Sequence, residues 1–258
     1  VTTGIGQERE KNMEYDLGGE VAEWMLSRTG APHGARSTTT LMGLQWDVFP
    51  GVWHPNPGTR LFTSWLPIAD GCRLLEVGCA AGVTCVVAAR GGCTRVVGVD
   101  IYPAATDNTR RNAARHGVAG RVEALTSDLF AELDEDDVFD VICSNPPLAK
   151  APESRRIDTA TEQMVYDPGY ELHRRFFREV GPHLADDGRI YVLTSETLAD
   201  PAELRTLAAE AGFSGRVHAS EAIGIPASVM GSTPAVVAAA DEHGVVRVDF
   251  TMLEFQRG

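Results

Sequence analysis

Leu74-Leu75-Glu76-Val77-Gly78-Cys79-Ala80-Ala81-Gly82-Val83-Thr84 is a short apolar run that breaks into small residues and restarts with β-branched ones. Such a run suits a strand buried on both faces, followed by a tight turn into a helix. A helix starting behind a turn of small residues leaves backbone N–H groups free for a ligand. The same alternation extends outward from this stretch. Apolar, β-branched runs at 73–78, 95–100, 122–126, 139–144 and 189–195 are separated by helical patterns near 83–90, 104–116, 170–184 and 201–211. Strand and helix in regular alternation predict a parallel sheet with helices on both faces. Two more runs, 215–219 and 245–255, have no full helix between them, so the last of seven strands is expected to run antiparallel. Apolar residues at Val21, Ala22, Trp24, Met25 and Leu26 point to a helix within 19–28. Residues 1–48 are therefore read as a helical N-terminal extension capping the substrate, and 49–258 as the main domain.

Composition narrows the function classes. The chain has 258 residues, 23 Lys plus Arg against 36 Asp plus Glu, and a net charge of -13. With 43% hydrophobic and 23% charged residues, global disorder is excluded. No apolar run approaches the roughly 20 residues that span a bilayer. The polar, acidic start (VTTGIGQEREKNMEYD) has neither a signal-peptide nor a transit-peptide pattern, so a cytoplasmic protein without a membrane partner is expected. A surplus of acids is the wrong sign for neutralising many phosphates, which argues against a nucleic-acid partner. The pairs Arg155-Arg156 and Arg174-Arg175 read as solvated surface, and the run 132–137 as a solvated loop. Cysteines at 72, 79, 85, 93 and 143 are odd in number and lack C-x-x-C spacing, so reduced thiols are expected and no disulfide. The histidines show no ligand spacing, and no metal is expected.

The second strand ends in Val97-Gly98-Val99-Asp100, an acid twenty-two residues after Gly78. An acid at that point can accept hydrogen bonds from both ribose hydroxyls of an adenosine-containing cofactor. A dinucleotide fingerprint would put glycines at 78, 80 and 83, but positions 80 and 83 are Ala and Val. That disfavours an NAD(P)-dependent oxidoreductase. The spacing Glu76-x-Gly78-x-x-x-Gly82 instead resembles motif I of class I S-adenosylmethionine methyltransferases. The resemblance implies that Glu76 lies near the cofactor's amino-acid end and that Gly78, Cys79, Ala80 and Gly82 pass beneath it. It also implies Asp100 and Ile101 at the ribose, Asp128 at the adenine amino group and Leu129 over the ring.

Phe139-Asp140-Val141-Ile142-Cys143-Ser144-Asn145-Pro146-Pro147-Leu148 closes the fourth strand. Two consecutive prolines fix an extended backbone at the carboxyl edge of the sheet, where α/β ligands bind. A sulfonium methyl donor is already activated, so the enzyme's task is mainly alignment and exclusion of water. A planar nitrogen has its lone pair delocalised. Hydrogen bonds from its N–H groups to the Asn145 side-chain oxygen and the Pro146 carbonyl would aim that pair at the methyl group and stabilise the charge developing on nitrogen. Asn145 and Pro146 are thus the catalytic candidates.

The ensemble resembles the Asn-Pro-Pro branch of the class I methyltransferases. Val52-Trp53-His54-Pro55-Asn56-Pro57-Gly58-Thr59 is similar to the P-R-P-E-T segment of the HemK-like protein-glutamine N5-methyltransferases, with Asn56 and Gly58 in place of Arg and Glu. Tyr166-Asp167-Pro168 resembles that group's aromatic-acid-Pro element. The resemblance implies a Rossmann-like class I methyltransferase fold, S-adenosyl-L-methionine as cofactor and S-adenosyl-L-homocysteine as product. Trp53, His54, Pro147, Leu148 and Tyr166 are the implied substrate contacts. Leu148 stands where the family pattern has Tyr or Phe, Ala80 where Gly is common, and the glycine-rich segment after Pro168 is reduced to Gly169. These departures tilt the expectation towards N-methylation of a small-molecule or peptide-like acceptor. The alternatives are protein glutamine, an RNA base, or a silent binding subunit with a methyltransferase fold. His54 and His173 are weak candidates for a general base, and 221–244 is read as either a lid or a surface loop.

Overall fold

The computed structural model describes residues 17–29 and 36–258. Readings made for residues 1–16 and 30–35 lie outside the described residues. In chain order the first elements are α1 (Leu17–Thr29), β1 (Ser37–Leu41), β2 (Leu44–Val48), α2 (Pro57–Trp65), β3 (Arg73–Val77) and α3 (Val83–Arg90). Next come β4 (Arg95–Asp100), α4 (Pro103–Arg115), β5 (Val122–Thr126), β6 (Phe139–Ser144), β7 (Ala149–Ala151), α5 (Ala160–Gln163) and β8 (Tyr166–Pro168). The chain ends with α6 (Glu171–Glu179), β9 (Leu184–Thr194), α7 (Pro201–Glu210), β10 (Phe213–Pro226), α8 (Ala227–Met230), α9 (Pro234–Ala239) and β11 (Val245–Arg257).

Seven strands form one sheet in the order β10-β11-β9-β6-β3-β4-β5. The five strands from β9 to β5 are parallel, and β11 runs antiparallel between β9 and β10. The first strand of the alternation, β3, is the middle one of the five parallel strands, so the chain reverses direction across the sheet beside it. That is the switch point at which open α/β sheets bind ligands. Central strands are apolar on both faces because helices cover both. Leu74, Val96 and Cys143 belong to one core, and Leu75, Val97 and Ile142 to the other. On the second face, Phe176 and Phe177 of α6 pack with Phe130, Phe213 and Phe255 as tilted and edge-on rings.

Three elements depart from the sequence reading. The segment taken as a helical extension holds α1 and then a hairpin, β1–β2, in register from Ser37↔Val48 to Leu41↔Leu44. The run Thr38-Thr39-Thr40 favours strand, and Met42-Gly43 supplies two left-handed residues for the turn. Buried Asn108 and Asn112 on α4 hold the hairpin by bonding the backbone of Asp47 and Phe49. The Pro- and Gly-rich stretch 50–59, to which the sequence pattern assigned no element, runs into a helix at Pro57. Asn56 caps α2 by accepting from Thr59 N while Thr59 Oγ1 accepts from Asn56 N, with Pro57 in the first turn. Lastly, Cys72 and Cys93 are joined in a disulfide, contrary to the expectation of reduced thiols. Their 21-residue separation hid the pairing. Cys72 leads into β3 and Cys93 into β4, and these neighbouring strands bring the two residues together. Cys79, Cys85 and Cys143 are free and buried, as read.

Much of the segment 221–244, read as either a lid or a surface loop, is regular structure: the end of β10, α8 and α9. Residues through Pro226 continue β10 in register with β11, from Glu221↔Phe250 to Pro226↔Val245. Because β9 pairs with β11 only over 251–255, this end of the ribbon runs beyond the carboxyl edge of the sheet. Asp249 fastens it there by accepting from the backbone N–H groups of Glu196 and Thr197. No helix among the described residues is long and apolar enough to cross a membrane.

Candidate active site

The carboxyl ends of β3, β4 and β6 open into a cavity of about 990 Å³. Its floor is the turn after β3. Gly78, Ala80 and Gly82 have φ of +83°, +46° and +75°, so the backbone coils left-handed three times in five residues. Only the glycines do this without a Cβ penalty. A Cβ on Gly82 would lie 2.8 Å from the Thr109 backbone, which is why α4 can pack so closely there. A Cβ on Gly78 would meet nothing, leaving open space above that residue for a ligand.

Gly82, the residue that starts α3, has no side chain with which to cap the helix. Glu76 supplies that function from the strand: its Oε2 accepts from Cys85 N at 3.1 Å and from the Cys85 thiol at 3.0 Å. The carboxyl is 5% exposed, and burial pushes its pKa up to about 7 against the opposing pull of these hydrogen bonds. At the end of β4, Asp100 accepts from Ala80 N through Oδ2 and from Tyr102 N through Oδ1, both at 3.0 Å. Burial raises its pKa as well. Its carboxylate is thereby fixed at the cavity wall with lone pairs to spare. Leu129 has φ of +52° and is buried beside Asp128, whose carboxylate accepts from Arg175 at 3.1 Å.

Asn145, Pro146 and Pro147 leave the end of β6 and line the same cavity. Ser144 Oγ donates to Val77 O at 2.9 Å, locking the end of β6 to the end of β3. The proline pair is thus held in register with the glycine turn. Across from it, Val21, Trp24 and Met25 of α1 and Ile223, Ile225, Val248 and Phe250 of the β10–β11 ribbon form an apolar wall. The site accordingly has a backbone-built half with three acids and an apolar half made from distant segments.

The sequence model of the methyltransferase small domain matches residues 50–213, well over half the chain. The chain belongs to this methyltransferase family. It is an S-adenosylmethionine-dependent methyltransferase, and the turn above suits that cofactor, with an open cradle at Gly78 and a fixed carboxylate at Asp100. A Methanocaldococcus jannaschii protein, provisionally named a protein N5-glutamine methyltransferase, is 28% identical over 64% of this chain and 83% of its own. The release factor glutamine methyltransferase of Rhodopirellula baltica is 31% identical over 56% of this chain and 51% of its own. A ribosomal protein L11 methyltransferase from Dechloromonas aromatica is 37% identical, over 38% of this chain and 33% of its own. The match to these last two relatives thus spans about half and about a third of their length. In fold, the methyltransferase is similar to the Thermus thermophilus 16S rRNA N2 G1207 methyltransferase, solved with AdoMet and guanosine. The TM-score is 0.55 at 17% identity over 87% of this chain and 50% of the other.

Of the site residues read from sequence, Glu76, Gly78, Cys79, Ala80, Asp100, Ile101, Asp128, Leu129, Asn145, Pro146, Pro147 and Leu148 line the cavity, as do Trp53 and His54. Gly82 lies beneath it as the start of α3. Tyr166 is outside the lining. Its hydroxyl donates to Glu23 of α1 at 2.8 Å and its ring lies under the Arg155 guanidinium, 3.6 Å from the ring centroid. Tyr166 fastens the N-terminal helix of the methyltransferase. Both histidines line the cavity: His173 Nδ1 bonds buried Asp167 at 2.6 Å, and His54 Nδ1 lies 3.3 Å from Pro55 O. The sequence placed a substrate cap in residues 1–48 but marked none of the apolar wall's side chains as lining, because an apolar residue on a helix or strand carries no sign of what it faces.

Proposed function

We infer that this methyltransferase N-methylates a planar or amino nitrogen on a small-molecule or peptide-like acceptor. The observation that carries the inference is the Asn145-Pro146-Pro147 backbone, held at the end of β6 between the acid-bearing half of the cavity and the apolar half. S-adenosylmethionine, when bound, supplies an activated sulfonium methyl group. Glu76 and Asp100 are assigned to its amino-acid end and ribose, and Asp128 with Leu129 to its adenine. Asn145 and the Pro146 carbonyl accept hydrogen bonds from the acceptor N–H and turn the nitrogen lone pair towards the methyl group. The bound cofactor would supply its methyl group to that nitrogen with loss of the C–S bond, and the nitrogen would release its proton to solvent. Residues 17–29 act as a cap that excludes water from this step.

The names of the Methanocaldococcus and Rhodopirellula relatives support a second reading, a glutamine amide in a protein. Against it stand Leu148 at the aromatic position and the wall that α1 and the ribbon build over the acceptor side. The net charge of -13 weighs against an RNA acceptor. Incubation of the full chain with isotope-labelled methyl donor and a source extract tests both readings. Label in low-mass compounds or short peptides supports the first, label at glutamine of a protein supports the second, and label in no fraction defeats N-methylation.

A further inference from the structure

The apolar half of the cavity contains one charge out of keeping with its surroundings. Among the described residues of α1, the extended ribbon and α8, Arg28 is the only charged side chain that reaches the lining. Its guanidinium lies 5.7 Å from the centre of the Trp24 ring, which places it along the apolar wall. No carboxylate pairs with it among the described residues. Arg175, the other arginine lining the cavity, is by contrast held by Asp128 and Glu179. Carboxylates are plentiful in a chain with 36 acids and 23 basic residues, so an arginine left unpaired beside an apolar pocket is not explained by scarcity. Burying that cation under an uncharged acceptor would strip its water and leave it unpaired.

We propose that the acceptor is a small organic acid, with an apolar body against Trp24, Ile223 and Phe250, a carboxylate on Arg28 and the reacting nitrogen at Asn145. The proposal rests on the N-methylation reading and narrows it to a substrate class. Guanidinium and carboxylate match as a two-point, charge-assisted pair. Asp100, which no cation pairs among the described residues, repels an anion from the donor half of the cavity. The same charge pattern therefore orients the acceptor, with its carboxylate outward and its nitrogen inward.

The test uses two probes of one shape, 3-phenylpropanoate and neutral 3-phenylpropanamide, titrated calorimetrically into the full chain saturated with S-adenosylhomocysteine. The carboxylate is expected to bind at least about tenfold more tightly than the amide. Arg28→Gln should erase that preference and Arg28→Lys should retain part of it. Arg28 is exposed, so both variants are expected to fold, and circular dichroism checks this. Equal binding of the two probes, a preference that survives Arg28→Gln, or no binding of either at millimolar concentration overturns the proposal. So does an uncharged glutamine-containing peptide that binds more tightly than the carboxylate and is indifferent to Arg28→Gln. A separate titration with S-adenosylhomocysteine alone distinguishes the two levels. Its failure removes the cofactor site and the acceptor assignment with it, whereas its success beside a failed probe pair removes only the organic acid.

Discussion

The two halves of the cavity are built on different principles. The donor half is mostly backbone: three left-handed residues in one turn, two carboxylates pinned by N–H groups, and a proline pair locked to the next strand. The acceptor half is side chains from α1 and from a ribbon that overruns the sheet by six residue pairs, Glu221↔Phe250 to Pro226↔Val245. A backbone-built site fixes residue types at fixed spacing. A site walled by apolar side chains needs only bulk, and it can be remodelled without touching the fold. The difference separates what the methyltransferase must keep from what its substrate can change.

The largest effect is expected where the halves meet. Asn145→Ala should lower kcat by about 10²- to 10³-fold, the loss seen when one preorganised polar group is removed from developing charge. S-adenosylhomocysteine affinity should stay within severalfold. Single-turnover methyl transfer together with calorimetry checks the split, and retained turnover would remove Asn145 from the mechanism.

Next comes a contrast inside the glycine turn. Gly82→Ala places a methyl group 2.8 Å from the Thr109 backbone at a left-handed position, so α4 must shift. We expect a loss of about 3 kcal/mol from the combined clash and backbone strain. At Gly78 the space is open and only the backbone term remains, about 1 kcal/mol. There the damage should appear instead as weakened cofactor binding. Urea denaturation of the two variants reads the difference, and equal losses would contradict the packing account.

Glu76 gives the donor half a pH signature. Burial raises its folded-state pKa to about 7, from 4.5 for a free glutamate, so the folded chain holds this proton longer than the unfolded one. Stability from this group is therefore full below pH 4.5 and is lost as pH rises to about 7, a swing of about 3 kcal/mol. Glu76→Gln should remove that slope from a plot of unfolding free energy against pH. If the wild type and the variant run parallel between pH 5 and pH 8, Glu76 is ionised throughout.

The same division explains how far the sequence could be read. Glu76, Gly78, Asp100 and Asn145 were legible because each answers a stereochemical demand at a set distance from a strand end. The parallel sheet with its antiparallel last strand followed from strand–helix alternation. The start of α2 was available in Asn56-x-x-Thr59 with Pro57 between them, a capping box that the surrounding prolines and glycines disguised as loop. The disulfide was not legible, since only the pairing of β3 with β4 brings Cys72 to Cys93. Nor was the part played by Tyr166. Its partner, Glu23, is 143 residues away on an element whose docking no local pattern records.

That contact yields the smallest prediction and the one most specific to the acceptor half. Tyr166 donates to Glu23 at 2.8 Å, and Arg155, stacked on the tyrosine ring, lies 3.7 Å from the same carboxylate. Tyr166→Phe keeps the ring and its stacking while deleting one hydrogen bond to a partly exposed carboxylate, a change of about 1 kcal/mol. If α1 is a cap held independently of the donor half, this loss should fall on α1 alone. Amide exchange over Leu17–Thr29 should then quicken by about fivefold, the population change that 1 kcal/mol allows. S-adenosylhomocysteine affinity should be unchanged, because the deleted hydroxyl bonds Glu23 and Tyr166 lies outside the cavity lining. Unaltered exchange over α1 would mean that its packing against α5, α8, α9 and β7 holds it without this contact. Weakened cofactor binding would mean that the two halves are mechanically coupled, and that an acceptor pressing on α1 is felt at the glycine turn.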